Sequence, residues 1–325
     1  MNKLATIAIM AALASPAAAS PLTKHGGTVI PAAASAVGYT TNTFHTGSFS
    51  TSNIDMNNTY VTGFQWYLTN YFSFAVSPMP SSAAVINADG TVSVQYDNAA
   101  NVAIMTTGHI PVPPYFVGIS FGCGAYITAE ISFDPKGVST PKGWPSWWAT
   151  SAEHFNNDVG AQWTGQAANY VHIAEIDFFE ALRNLVPSSP QQYGHALHEF
   201  WGIYNNTCGL IGFCTSTPYL TDVTVPHITD WKLWHRVAIL WVPATVSTQG
   251  YITSYFDDIR GITNRWDQFT AQLPPPGAGG FPTQPWSFGI IDNLHFPLIF
   301  GSGNTPINVR SVDVWQGPGA CNLTN

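Results

Sequence analysis

Three carboxylic acids stand close together in Glu175-Ile-Asp-Phe-Phe-Glu180. Carboxyl groups at this spacing suit glycosidic bond cleavage. A retaining glycosidase needs two of them about 5–5.5 Å apart: one attacks the anomeric carbon, and the other protonates the leaving oxygen and then activates water. Their surroundings must separate their pKa values, so that one is ionised while the other keeps a proton. Glu175, Asp177 and Glu180 are therefore the candidate catalytic residues.

That chemistry requires the three side chains to share a face. On a strand, residues i and i+2 point the same way, so Glu175 and Asp177 do. Glu180 lies three residues beyond Asp177 and falls on the opposite face under strict alternation. One extra residue, a β-bulge at Phe178-Phe179, returns it to the shared face. A helix is the competing reading. Asp177 could cap its N-terminus with Glu180 three residues on, and Ile176, Phe179, Leu182 and Val186 have helical spacing. Local pattern leaves the two readings level.

The rest of the chain reads as strands and turns. Tyr60–Gln65, Ala84–Asn87, Thr91–Tyr96, Ala103–Thr107, Tyr126–Phe133, Trp234–Val242, Tyr251–Asp257 and Val309–Gln316 are short and alternating or β-branched. Asp89-Gly90 reads as a hairpin turn between two of them. Many short strands separated by Gly, Pro, Asn and Ser predict an all-β sandwich. Asp134–Pro145 and Leu273–Pro285 are rich in Pro and Gly and read as loops that could wall a cleft.

Charged residues make up only 9% of the 325 residues, against roughly 25% in ordinary soluble chains. The surface must be largely uncharged and polar, which suits sugars. Lys and Arg total 10 against 18 Asp and Glu, with no basic stripe. A nucleic-acid partner is not expected, and sulfated polysaccharides are disfavoured. Residues 1–19 have the form of a signal peptide: Lys3, the apolar run Leu4–Leu13, then Ala17-Ala18-Ala19. No other stretch is long enough to span a membrane. The reading is a secreted or periplasmic monomer with an N-terminal arm over 20–45 and one domain over 46–325. Four cysteines in an exported chain favour disulfides. Cys208 and Cys214 enclose a short loop and look like a local pair, which leaves Cys123 with Cys321; three connectivities remain open.

The motif resembles the signature of glycoside hydrolase family 16, in its bulged Glu-x-Asp-x-x-Glu form. Further segments resemble the family in order: Gly124–Pro135, Gly143-Trp-Pro-Ser-Trp-Trp148, Trp234–Trp241, Gly250–Asp257 and Val309–Gln316. Together they span about residues 120–316. The resemblance implies a jelly-roll sandwich of two antiparallel sheets with a concave substrate cleft. It implies Glu175 as nucleophile, Asp177 as assisting carboxylate, Glu180 as acid/base, and Trp148 at the substrate. It also places His195 or His198 in the site, one of the pair facing it. The implied activity is retaining endo-hydrolysis of a β-linked polysaccharide, a β-1,3- or mixed-linkage glucan first. A galactan-active hydrolase, a transglycosylase and a lectin-like binding protein are the alternatives. Thr128-Ala129-Glu130 departs from the family's Glu-x-Arg, which removes a usual cleft charge. Family members often carry a structural calcium on the convex face, near where Asp313 falls; no cofactor is otherwise required.

Trp144, Trp201 and Trp286 are further candidates for stacking on sugar, with core packing the alternative for each. His195 and His198 are three apart and face opposite ways on a strand, so they do not chelate a metal as a pair.

Overall fold

The computed structural model describes residues 29–70, 77–95, 103–112, 115–139, 145–155, 170–181, 191–203, 214–224, 230–269, 288–302 and 305–324. Among these residues a four-residue helix, α1 (Ala32–Ser35), precedes twenty strands. They are β1 (Thr41–Thr46), β2 (Ile54–Asp55), β3 (Trp66–Asn70), β4 (Ser77–Pro78), β5 (Ala84–Ile86), β6 (Val92–Val94) and β7 (Ala103–Thr106). Then come β8 (Gly108–Val112), β9 (Tyr115–Ser120), β10 (Ala125–Ser132), β11 (Ser146–Thr150), β12 (Tyr170–Glu180), β13 (Gln192–Ile203) and β14 (Cys214–Thr224). The last are β15 (His235–Val242), β16 (Gly250–Phe256), β17 (Ile259–Trp266), β18 (Leu298–Ser302), β19 (Ile307–Gln316) and β20 (Leu323–Thr324).

These strands form the all-β jelly-roll sandwich. One sheet runs β17-β16-β15-β10-β19-β6-β5, with β1 also on β19; the other runs β14-β13-β12-β11-β18-β7-β3-β2, with β4 on β3. All pairings in the two are antiparallel except β2 with β3. A third, small sheet of β20, β9 and β8 gathers the C-terminal end. Alternation explains the layers. On β10, Ala125, Ile127, Ala129 and Ile131 enter the main core, while Tyr126, Thr128 and Glu130 line a cavity on the other side of the strand. Rings from both sheets meet in the core: Tyr193 of β13 stands 5.8 Å from Phe256 of β16. Asp89-Gly90 closes the β5–β6 hairpin, with Gly90 at φ +80° where a side chain would be strained.

Two expectations change. Tyr60–Gln65 is not a strand; β3 starts at Trp66. Asp55 is the reason: its carboxylate accepts the Tyr60 N–H at 2.7 Å and the Thr59 hydroxyl at 3.1 Å. This turn holds Tyr60 at φ +51°, out of extended geometry. The N-terminal arm does not end at residue 45, because residues 41–46 are strand β1, paired along β19. Ahead of it, Ala34 and Tyr39 pack on Tyr126, Ala238, Leu240 and Trp315, the outer face of the first sheet. The Tyr39 hydroxyl donates to the Trp241 carbonyl.

Cys123 and Cys321 form a disulfide. Cys208 lies outside the described residues, as do Trp144, Trp286 and the stretch 270–287. Cys214 and Trp201 face each other in the β13–β14 register, and only their backbone is described. Among the described residues, no helix is long and apolar enough to cross a membrane.

Candidate active site

The Glu175–Glu180 segment is a strand, the end of β12, so the helical reading falls. It lies between β11 and β13, and its register slips against both neighbours. On β11, Trp148 faces Asp177 and Trp147 faces Phe179; on β13, Ala196 faces Asp177 and Gly194 faces Glu180. Phe178 is the extra residue. Both phenylalanines are fully buried in the main core. Phe178 meets Trp147 at 4.7 Å, and Phe179 meets Tyr193 at 5.1 Å and Trp231 at 5.5 Å. A regular strand would turn one Phe out and Glu180 in. Burying a Phe contributes about 1.5–3 kcal/mol, and an unpaired carboxylate in the core costs several kcal/mol. Both effects select the bulge.

The carboxylates share the face turned away from the core. Thr150 on β11 and His198 on β13 stand directly across from Glu175. His198 Nε2 lies 3.0 Å from Asp177 Oδ2. Asp177 is buried, while Glu175 and Glu180 are partly exposed. Burial, with the charges of Asp177 and Glu180 behind it, raises the Glu175 pKa well above the ordinary carboxyl range; His198 pulls the other way. Burial and then Glu180 raise Asp177 similarly. Three acids so placed cannot all ionise together easily, so the row holds a proton at pH values where isolated carboxylates are bare.

The two histidines separate. His198 joins the carboxylates. His195 has the parity of Tyr193 and Leu197, both in the main core, and is itself fully buried. Its Nδ1 reaches the Asp177 carbonyl at 2.6 Å. Trp148 lies on the carboxylate face but is only 8% exposed, packed with Ile104, Ala152, Ile299 and Phe116. It therefore offers a ligand little of its ring. Thr150 had no sequence signal, since a lone Thr in a strand is unremarkable. Its hydroxyl is buried beside Glu175 with no partner among the described residues.

Glu130 is placed differently from the expectation of an altered cleft charge. Its strand, β10, belongs to the opposite sheet. There its carboxylate pairs with Arg236 at 3.2 Å and Arg310 at 2.7 Å. Asp313 lies on the same sheet, where its Oδ1 accepts from Asn42 at 2.8 Å and lies 2.7 Å from His45 Nδ1. Among the described residues, Glu175, Asp177 and His198 are the one group with ligand atoms close enough to share a cation, all within 4.8 Å of one another.

Fold and site together define a β sandwich bearing a row of proton-sharing carboxylates on one outer face. No protein-family model and no curated protein sequence matches the chain. Solved structures resemble it at low identity. An endo-1,3-beta-glucanase from Streptomyces sioyaensis is 14% identical, over 88% of this chain and 97% of that one, with a TM-score of 0.47. Beta-agarase B from Zobellia galactanivorans is 12% identical, over 77% and 81%, with a TM-score of 0.39. Peanut lectin is 12% identical, over 87% and 98%, with a TM-score of 0.33. At these scores the likenesses assign no activity.

Proposed function

We propose that the chain is a secreted, retaining endo-glycosidase of glycoside hydrolase family 16 type that cleaves a β-linked polysaccharide, a β-1,3- or mixed-linkage glucan first. The observation that carries this is the bulge, which holds Glu175, Asp177 and Glu180 on one face although their sequence spacing would divide them.

Glu175 attacks the anomeric carbon as the glycosidic C–O bond breaks, and Glu180 gives its proton to the departing oxygen. Glu180 then takes a proton from water, which attacks the same carbon and releases Glu175. Asp177, between them, shares their proton and is steadied by His198. Burial and the Asp177 charge favour a protonated Glu175, so that proton must pass along the row before Glu175 attacks, and Asp177, with oxygens within 4.8 Å, can take it. The signal-peptide form of residues 1–19 and the disulfide support an oxidising location.

Reducing-end release on β-1,3-glucan, mixed-linkage glucan, xyloglucan, agarose and carrageenan tests the reading, with wild type and Glu175→Gln in parallel. Hydrolysis of one glucan, abolished by the substitution, is expected. Hydrolysis that survives it sinks the mechanism. Binding without cleavage throughout would make the protein a lectin-like binder instead.

A further inference from the structure

Resting on the glycosidase reading of β12, we propose that His195 is a positioning residue: its Nδ1–H clamps the Asp177 carbonyl, sets the bulge, and so places Glu180 against Glu175. His195 touches no reacting atom; it acts from the core side of the sheet.

The Nδ1–O distance is 2.6 Å. A carbonyl only accepts, so Nδ1 carries the hydrogen. Burial holds the ring's pKa down to about 4, which leaves a neutral imidazole with its proton on Nδ1. Nε2 has no partner among the described residues. Such a ring is an expensive core residue. Leu or Phe would fill the space between Tyr193 and Leu197 without an orphaned nitrogen. The carbonyl bond is what an imidazole adds at this position.

The carbonyl's place makes the bond consequential. Pairing with β13 is regular down to Asp177 opposite Ala196 and resumes at Glu180 opposite Gly194. Asp177 is thus the last regular residue before the bulge, where the ladder cannot satisfy every backbone group. The orientation of the peptide after Asp177 decides which way Phe178, Phe179 and Glu180 point. Holding its oxygen from beneath fixes that peptide. Asp177 therefore has two attachments, its carboxylate to His198 on the outer face and its carbonyl to His195 inside.

Two variants and one wild-type measurement test this. His195→Leu removes the donor, and His195→Asn keeps an N–H at the δ position. Both are compared with wild type by circular dichroism melting. Turnover is then measured on the polysaccharide that the panel identifies, and on phenyl and 2,4-dinitrophenyl β-glycosides of the same sugar. A misplaced acid should lower kcat/KM of His195→Leu on the polymer and the phenyl glycoside by about 10²-fold. That loss in kcat/KM, which reports the glycosylation step, should shrink on the dinitrophenyl glycoside, whose leaving group needs no proton. His195→Asn should recover most of the activity. A folded Leu variant with wild-type kcat/KM overturns the proposal. So does an equal loss on both aryl glycosides, which a general structural defect would produce. Should the Leu variant not fold, 15N NMR of histidine-labelled wild type decides, since an imidazole protonated at Nε2 instead of Nδ1 refutes the clamp. That spectrum also stands if the wild type cleaves nothing, an outcome that removes the glycosidase reading but not the bond.

Discussion

Glu175→Gln should stabilise the protein at neutral and mildly alkaline pH while abolishing its chemistry. In the folded state Glu175 and Asp177 present oxygens within 4.8 Å of each other. Two full charges at that distance repel by about 3.5 kcal/mol at an effective dielectric constant of 20. Partial exposure of Glu175 and the opposing His198 reduce this, leaving about 1–2 kcal/mol. The sign follows from linkage. The folded-state pKa of Glu175 is raised above its ordinary value of 4.5. Below pH 4.5 both folded and unfolded chains hold the proton, and the group does not distinguish them. As pH rises toward the folded pKa, the unfolded chain releases its proton first and wild-type stability falls. A glutamine at 175 has no proton to lose. Urea denaturation of both proteins, with the disulfide intact, should give nearly equal midpoints near pH 4 and a higher midpoint for the variant at pH 8. A variant less stable than wild type by the same amount at both pH values would refute a mutually repelling carboxylate row.

The other predictions concern each part of the site and its support. Glu180→Gln should lower kcat on polysaccharide by about 10²–10⁴-fold, and added azide should divert an activated substrate to a β-glycosyl azide, detectable by mass spectrometry. His198→Ala removes the group that lowers the Glu175 pKa, so the acidic limb of the kcat/KM–pH profile should move to higher pH. Replacing both Cys123 and Cys321 with Ser opens a link across 198 residues; chain entropy alone puts the loss near 5 kcal/mol, read as a fall in the urea midpoint. Glu130→Leu removes the carboxylate shared by Arg236 and Arg310, but Arg236 keeps Asp258 at 2.6 Å, so the loss should be about 1–3 kcal/mol, while KM on the substrate stays unchanged because Glu130 lies on the opposite sheet.

Much of this was legible in the chain. Period-two alternation in 126–133 marked a strand, because a residue and its second neighbour share one face whatever the tertiary fold, and β-prone composition marked 234–242 and 309–316. Asp89-Gly90 marked its hairpin through a backbone conformation that few other residues tolerate. Other features were hidden. Residues 60–65 look β-prone, yet Asp55 bends them into a turn through side-chain bonds that no propensity encodes. Residues 41–46 sit in a stretch rich in small residues and become a strand only because β19 offers them an edge.

The carboxylate motif divides the same way. Residue types and spacing determined that Glu175 and Asp177 share a face and that Glu180 can join them only through an added residue. They did not decide between a capped helix and a bulged strand, nor which of His195 and His198 would face the acids. Tertiary structure decided both. Two phenylalanines find an aromatic core on the same side, which forces the bulge and keeps Glu180 out of that core. The register of β13 against β12 then sets His198 opposite Glu175 and turns His195 inward to the Asp177 carbonyl. Local sequence cannot specify such outcomes, because the partners that settle them are distant in the chain and meet only when the sheets pack.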